Sequence, residues 1–134
     1  AMSYDTVPGA IFTMPETGTV GLTEQQAREQ GKDIETAVVN FRSLGKAHAI
    51  DQIAGEAKMI VEKGSGKVIG VHITGPHATD LISEAALAVS KGLTVTDLAH
   101  TIHPHPTLSE TLMEAAHVFH GNAAHYYKPK RQKK

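Results

Sequence analysis

Gly55-Glu56-Ala57-Lys58-Met59-Ile60-Val61-Glu62-Lys63 and Lys67-Val68-Ile69-Gly70-Val71-His72-Ile73-Thr74 are two apolar-rich runs separated only by Gly64-Ser65-Gly66. Runs of this length on either side of a glycine-bounded turn predict a β-hairpin, because glycine reaches the positive φ that a tight reversal requires. An antiparallel sheet follows. Past Gly75-Pro76 the apolar spacing changes to that of a helix, with Leu81, Ala85, Ala88 and Val89 on one face and Gly92 as the stop. Thr94-Val95-Thr96-Asp97 is expected to open another short helix, with Leu98 and Ile102 as its apolar positions. A last helix from about Leu108 lines up Leu108, Leu112, Ala115, Ala116 and Phe119 and ends near Gly121.

Upstream of the hairpin, Ile34 to Phe41 contains the run Thr36-Ala37-Val38-Val39 and is expected to be a strand. Ala10 to Met14 reads as a strand that Pro15-Glu16-Thr17-Gly18 interrupts and Thr19 to Leu22 resumes. Thr23 and Gln26 have the spacing of a capping box, and Gly31 is a natural helix stop. Ser43 to Asp51 is too mixed to assign. Strands first and helices last favour an α+β fold, an antiparallel β-sheet packed against helices as a single two-layer domain.

At 134 residues the chain has the size of one domain. A formal net charge of -1 gives no general attraction to nucleic acid, and no apolar stretch approaches the roughly 18 residues that cross a bilayer. With no cysteine, disulfides, thiolate metal sites and cysteine nucleophiles are excluded within the chain. Neither GxGxxG nor GxxxxGK[ST] occurs, so no dinucleotide site is expected in this segment alone. Residues 1–4, opening Ala1-Met2-Ser3, read as an expression scar and start; 5–121 as the folded domain; 122–134, ending Lys128-Pro129-Lys130-Arg131-Gln132-Lys133-Lys134, as a basic tail with no assigned role.

Ile102-His103-Pro104-His105-Pro106-Thr107-Leu108-Ser109-Glu110 is the stretch that points to chemistry. Each proline restricts the residue before it to extended backbone, so two imidazoles sit on a stiff loop leading into a helix. Histidine titrates near neutral pH, and a general base must be aimed to within hydrogen-bond distance of the proton it removes. Glu110 follows Thr107 at capping-box spacing, which leaves two readings open. The carboxylate caps the helix while His105 fills the entry turn, or the carboxylate holds one nitrogen of His105 while the other acts as base. A helix N-terminus disfavours the imidazolium and a carboxylate favours it, so spacing alone fixes no net effect.

His105-Pro106-Thr107-Leu108-Ser109-Glu110, followed by Leu112-Met113-Glu114-Ala115-Ala116, resembles the C-terminal motif of dihydrolipoamide dehydrogenases, within the pyridine-nucleotide disulfide oxidoreductase family. Gly70-Val71-His72-Ile73-Thr74-Gly75-Pro76 with Asp80-Leu81-Ile82, Asp97-Leu98-Ala99, and Pro8 to Leu22 extend the likeness to roughly residues 5 to 120. The resemblance implies a dimerisation domain that forms most of a homodimer contact, with separate upstream domains holding FAD, NAD and a redox-active disulfide. It also implies that His105, oriented by Glu110, reaches the partner subunit's active site and takes a thiol proton from dihydrolipoamide. A lipoyl domain of a 2-oxo acid dehydrogenase complex is the implied partner, with cytoplasmic or, in a eukaryote, mitochondrial-matrix localisation. Nucleic acid and membrane are not expected partners.

A glutathione-reductase-like disulfide reductase is the alternative enzyme, but that branch resembles Ser-Ser-Glu-Glu where this chain has Leu108-Ser109-Glu110-Thr111. Mercuric reductases carry C-terminal cysteines, which this chain lacks. A non-catalytic homodimerisation module is the third reading. The remaining histidines, His48, His72, His77, His100, His103, His117, His120 and His125, invite a metal site through the His117/His120 spacing, but a structural site wants four ligands with supporting contacts and none is expected.

Overall fold

The computed structural model describes residues 4–124, so most of the expected scar and the basic end of the tail, with His125, lie outside the described residues. The quoted hairpin forms the middle of a five-stranded sheet. Its arms are β4 (Glu56–Glu62) and β5 (Val68–Gly75), joined to β1 (Gly9–Ile11), β2 (Glu16–Gly21) and β3 (Ile34–Asn40) in the order β1-β2-β5-β4-β3. Every neighbouring pair is antiparallel. The interruption expected across Pro15 to Gly18 is shorter than the sequence reading had it. Only the turn at Phe12 to Pro15 lies outside the strands, and β2 begins at Glu16, because Gly18 pairs with both Ala10 and Ile73.

Alternation along the strands decides what each face of the sheet covers. Val20, Val39, Ala57, Met59, Val61, Val71 and Ile73 point to one side and join the main core. On that side lie α3 (Ala78–Lys91), over β2 and β5, and α5 (Glu110–His120), over β3 and β4. Burying one large aliphatic side chain is worth roughly 1.5–3 kcal/mol, so this shared face dominates the stability of the domain. On the reverse face α1 (Glu24–Glu29) places Ala27 against Ile34 and Ile60, a small second cluster. The α+β, sheet-and-helix architecture expected from the sequence is the one observed.

The Thr23/Gln26 capping box is formed, with Thr23 N–H donating to Gln26 Oε1 at 2.9 Å and Gln26 N–H to Thr23 Oγ1 at 3.1 Å. The unassigned segment contains α2 (Gly45–Ala49), a five-residue helix anchored by Ala47. On α3 the buried positions are Ala78, Ile82, Ala85 and Ala88; Leu81 and Val89, read as core, are half-buried one position off the stripe. Thr94 caps α4 (Val95–His100) through Asp97, and Leu98 is buried as expected. Ile102 is not: α4 has ended and the side chain is 94% exposed. Since Gly18 passes directly beneath α3, where a Cβ would lie 2.5 Å from the Ala78 carbonyl oxygen, β2 and α3 approach more closely than any side chain there would permit.

Candidate active site

The loop between α4 and α5 crosses the helix face of the domain with no regular structure of its own. Leu108 anchors its downstream end in the core. Within it, Thr107 Oγ1 donates to the Pro104 carbonyl at 2.7 Å and lies 2.8 Å from Ser109 Oγ. These bonds close the turn that presents His105.

Glu110 opens the first turn of α5 and its side chain is 7% exposed. One carboxylate oxygen, Oε2, accepts the Thr107 N–H at 2.9 Å. The other, Oε1, meets His105 Nδ1 at 2.9 Å. The capping box expected between Thr107 and Glu110 is therefore only half formed. Its carboxylate half is present, but Thr107 directs its hydroxyl to Pro104 and Ser109, and the residue at the helix N-cap is Ser109, without a side-chain cap bond. The two readings that spacing left open are not exclusive in this geometry, since one carboxylate serves both the loop backbone and the imidazole.

A carboxylate only accepts, so Nδ1–H is the donor, and in a neutral ring Nε2 carries the lone pair. The His105 side chain is 67% exposed, which leaves that nitrogen accessible to a group from outside the domain. A histidine held by a carboxylate on one side and open on the other has the arrangement that general-base chemistry requires. A cavity of about 490 Å³ lies elsewhere, between the β1–β2 turn and Asp51 to Ala54.

His103 is the residue whose placement the sequence did not reveal. Its ring is 5% exposed, with Nδ1 2.9 Å from the Thr101 carbonyl oxygen and Nε2 2.8 Å from Glu84 Oε1. Nothing in the sequence around Glu84 marks it, because the two residues are 19 apart and on different elements. The buried Glu114 was likewise unmarked, as it falls on the same face of α5 as Ala115 and Thr111. Among the described residues no three histidine, aspartate or glutamate side chains converge as a metal-holding group. His120 Nε2 is 3.4 Å from Thr96 Oγ1, and the His117 Nδ1 is buried without a hydrogen-bond partner among the described residues. No described helix is long and apolar enough to cross a membrane.

Residues 7–116 match the family described as pyridine nucleotide-disulphide oxidoreductase, dimerisation domain. The dihydrolipoyl dehydrogenase of Geobacillus stearothermophilus is 43% identical over 125 residues, which are 93% of this chain and 27% of that enzyme. The mitochondrial dihydrolipoyl dehydrogenase of Pisum sativum is 43% identical over 115 residues, 86% of this chain and 23% of the relative. Among solved structures, LpdA of Mycobacterium tuberculosis superimposes with a TM-score of 0.83 at 30% identity, covering 88% of this chain and 26% of that one. The HOCl-induced flavoprotein disulfide reductase RclA of Escherichia coli does so with a TM-score of 0.80 at 28% identity, covering 84% and 26%. The chain thus spans about a quarter of the length of the proteins it resembles.

Proposed function

Because the chain belongs to the pyridine nucleotide-disulphide oxidoreductase dimerisation-domain family, we propose that it is the interface domain of a dihydrolipoyl dehydrogenase and that His105 is the acid/base residue of the dithiol reaction. Residues 5–121 form that domain, and its relatives supply the precedent of dihydrolipoyl dehydrogenases roughly four times as long. FAD, NAD and the redox-active disulfide belong to the parts those longer chains carry; this segment shows no glycine-rich phosphate loop and has no cysteine.

The observation that carries the reading is the His105–Glu110 pair, with Nδ1 held at 2.9 Å and the other nitrogen facing out. A thiol with pKa about 8.5 is mostly protonated near pH 7, and only the thiolate attacks a disulfide. His105 Nε2 takes the proton from one dihydrolipoamide thiol as that sulfur attacks. The imidazolium so formed is stabilised by the Glu110 carboxylate against Nδ1–H. Since Nε2 points out of the domain, the thiol it serves belongs to a site completed by a second copy of the chain. A dihydrolipoyl substrate carried by a lipoyl domain fits the exposure of the ring.

The test uses the full-length enzyme bearing this domain. His105→Gln lowers the NAD-dependent dihydrolipoamide reaction by about 10²-fold or more, the contribution of a positioned base. Electron flow from NADH through the flavin to a dye, which deprotonates no thiol, is nearly unchanged. Equal losses in both assays would overturn the role given to His105.

A further inference from the structure

The chemistry just proposed leaves His103 unused, although it is the more deeply placed histidine of the loop. Its side chain is 5% exposed, against 67% for His105. Its two nitrogens face the Thr101 carbonyl oxygen at 2.9 Å and Glu84 Oε1 at 2.8 Å. Glu84 sits in the middle of α3, a helix packed on the sheet.

We propose that His103 and Glu84 form a positioning pair, tying the catalytic loop to α3 so that His105 is held where Glu110 can orient it. At 67% exposure the His105 ring has little packing of its own. Its Nδ1 meets Glu110 Oε1, and that bond needs the backbone from 104 to 106 in place. Thr107 bonds locally to Pro104, to Ser109 and to Glu110, and these bonds shape the turn. Leu108 fixes one end by apolar contact, which tolerates sliding. A buried ring whose Nε2–H is held by the Glu84 carboxylate does not, and a base has to be held to about 0.5 Å and 10–20° of its working geometry. The alternative is an ion pair that stabilises α3 and α4 and has no effect on His105.

The proposal rests on reading His105 as the base, but its test measures ring geometry and not turnover. In the 134-residue chain, ring ¹⁵N shifts at about pH 9, above the ordinary histidine range, report which nitrogen of His105 carries the proton. Glu110 holds the Nδ1–H form, whereas a free histidine side chain favours Nε2–H. In Glu84→Ala the Nδ1–H form loses its dominance. The Thr107 amide, which donates to Glu110, exchanges about tenfold faster or more, as expected for losing a hydrogen bond to a charged group. Met59 and Val71 amides in the sheet keep their protection. Glu84→Gln, whose side-chain carbonyl still accepts from Nε2–H, returns both signals toward those of the unsubstituted chain. If Glu84→Ala also costs the sheet its protection, His103→Phe, which fills the ring's volume without its hydrogen bonds, is judged by the same two signals. A His105 tautomer and a Thr107 exchange rate unchanged in these variants overturn the positioning pair. That result would leave the base assignment standing, since the base is tested by dithiol turnover in His105→Gln.

Discussion

At the scale of single residues, Glu110 carries two tasks that one substitution separates. Its Oε2 holds the Thr107 N–H and its Oε1 holds His105 Nδ1. Glu110→Gln keeps an acceptor for one of these partners and loses the negative charge. In the full-length enzyme it therefore lowers dithiol turnover less than His105→Gln does, and it alters the pH profile of the dithiol half-reaction because the imidazolium loses its counter-charge. Stopped-flow reduction of the flavin by dihydrolipoamide across pH reads this directly. A variant that melts earlier yet shows an unchanged profile would make Glu110 a capping residue only.

At the scale of elements, the sequence was most informative where one element explains itself. The hairpin from Gly55 to Thr74 needed only its own alternation and its glycine turn, and the α1 cap needed only Thr23 and Gln26. It was least informative where the decisive contact comes from elsewhere in the chain. Ile102 fits a helical stripe, but α4 ends before it and the side chain is left exposed among the described residues. Glu84 looks like any polar residue on a surface helix until the loop brings His103 to it. The start of α3 shows the same dependence. His77 at its N-cap makes no side-chain cap bond, and Glu16 of β2 instead accepts the Thr79 N–H at 3.0 Å and the Thr79 hydroxyl at 2.7 Å.

Those two hydrogen bonds from Thr79 are the main reason the Glu16 carboxyl is held below its ordinary value of 4.5, with nearby His77 adding to the effect. A carboxyl whose pKa is lower folded than unfolded stabilises the fold fully above that ordinary value, and the contribution is lost as pH falls through the lower folded value. The β2–α3 junction therefore loosens in acid. The protection of the Thr79 amide, its intrinsic rate divided by its observed exchange rate, falls between pH 6 and about pH 3 in the unsubstituted chain. In Glu16→Gln this fall is absent, because no carboxyl remains to titrate. Parallel pH profiles in the two proteins would show that Glu16 does not hold the helix start.

At the scale of the whole molecule, the domain leaves large apolar side chains and the proposed base open to solvent. Met14 and Ile102 are 100% and 94% exposed, and the His105 side chain is 67% exposed. On the function proposed above, the exposed His105 serves a thiol held by the other subunit of a two-fold dimer.

The most direct measurement of that claim is complementation between two inactive full-length subunits. One carries His105→Gln, and the other has an intact His105 but lacks the redox-active disulfide of its upstream domains. Mixed dimers assembled from equal amounts hold one site in which an intact disulfide meets an intact histidine from the partner. Random pairing then restores dihydrolipoamide oxidation to about one quarter of the unsubstituted level, since about half the dimers are mixed and each has one repaired site. If His105 served its own subunit, no pairing would unite the two groups. Dithiol turnover no higher than that of the separate variants, in dimers shown to be mixed, would contradict the account.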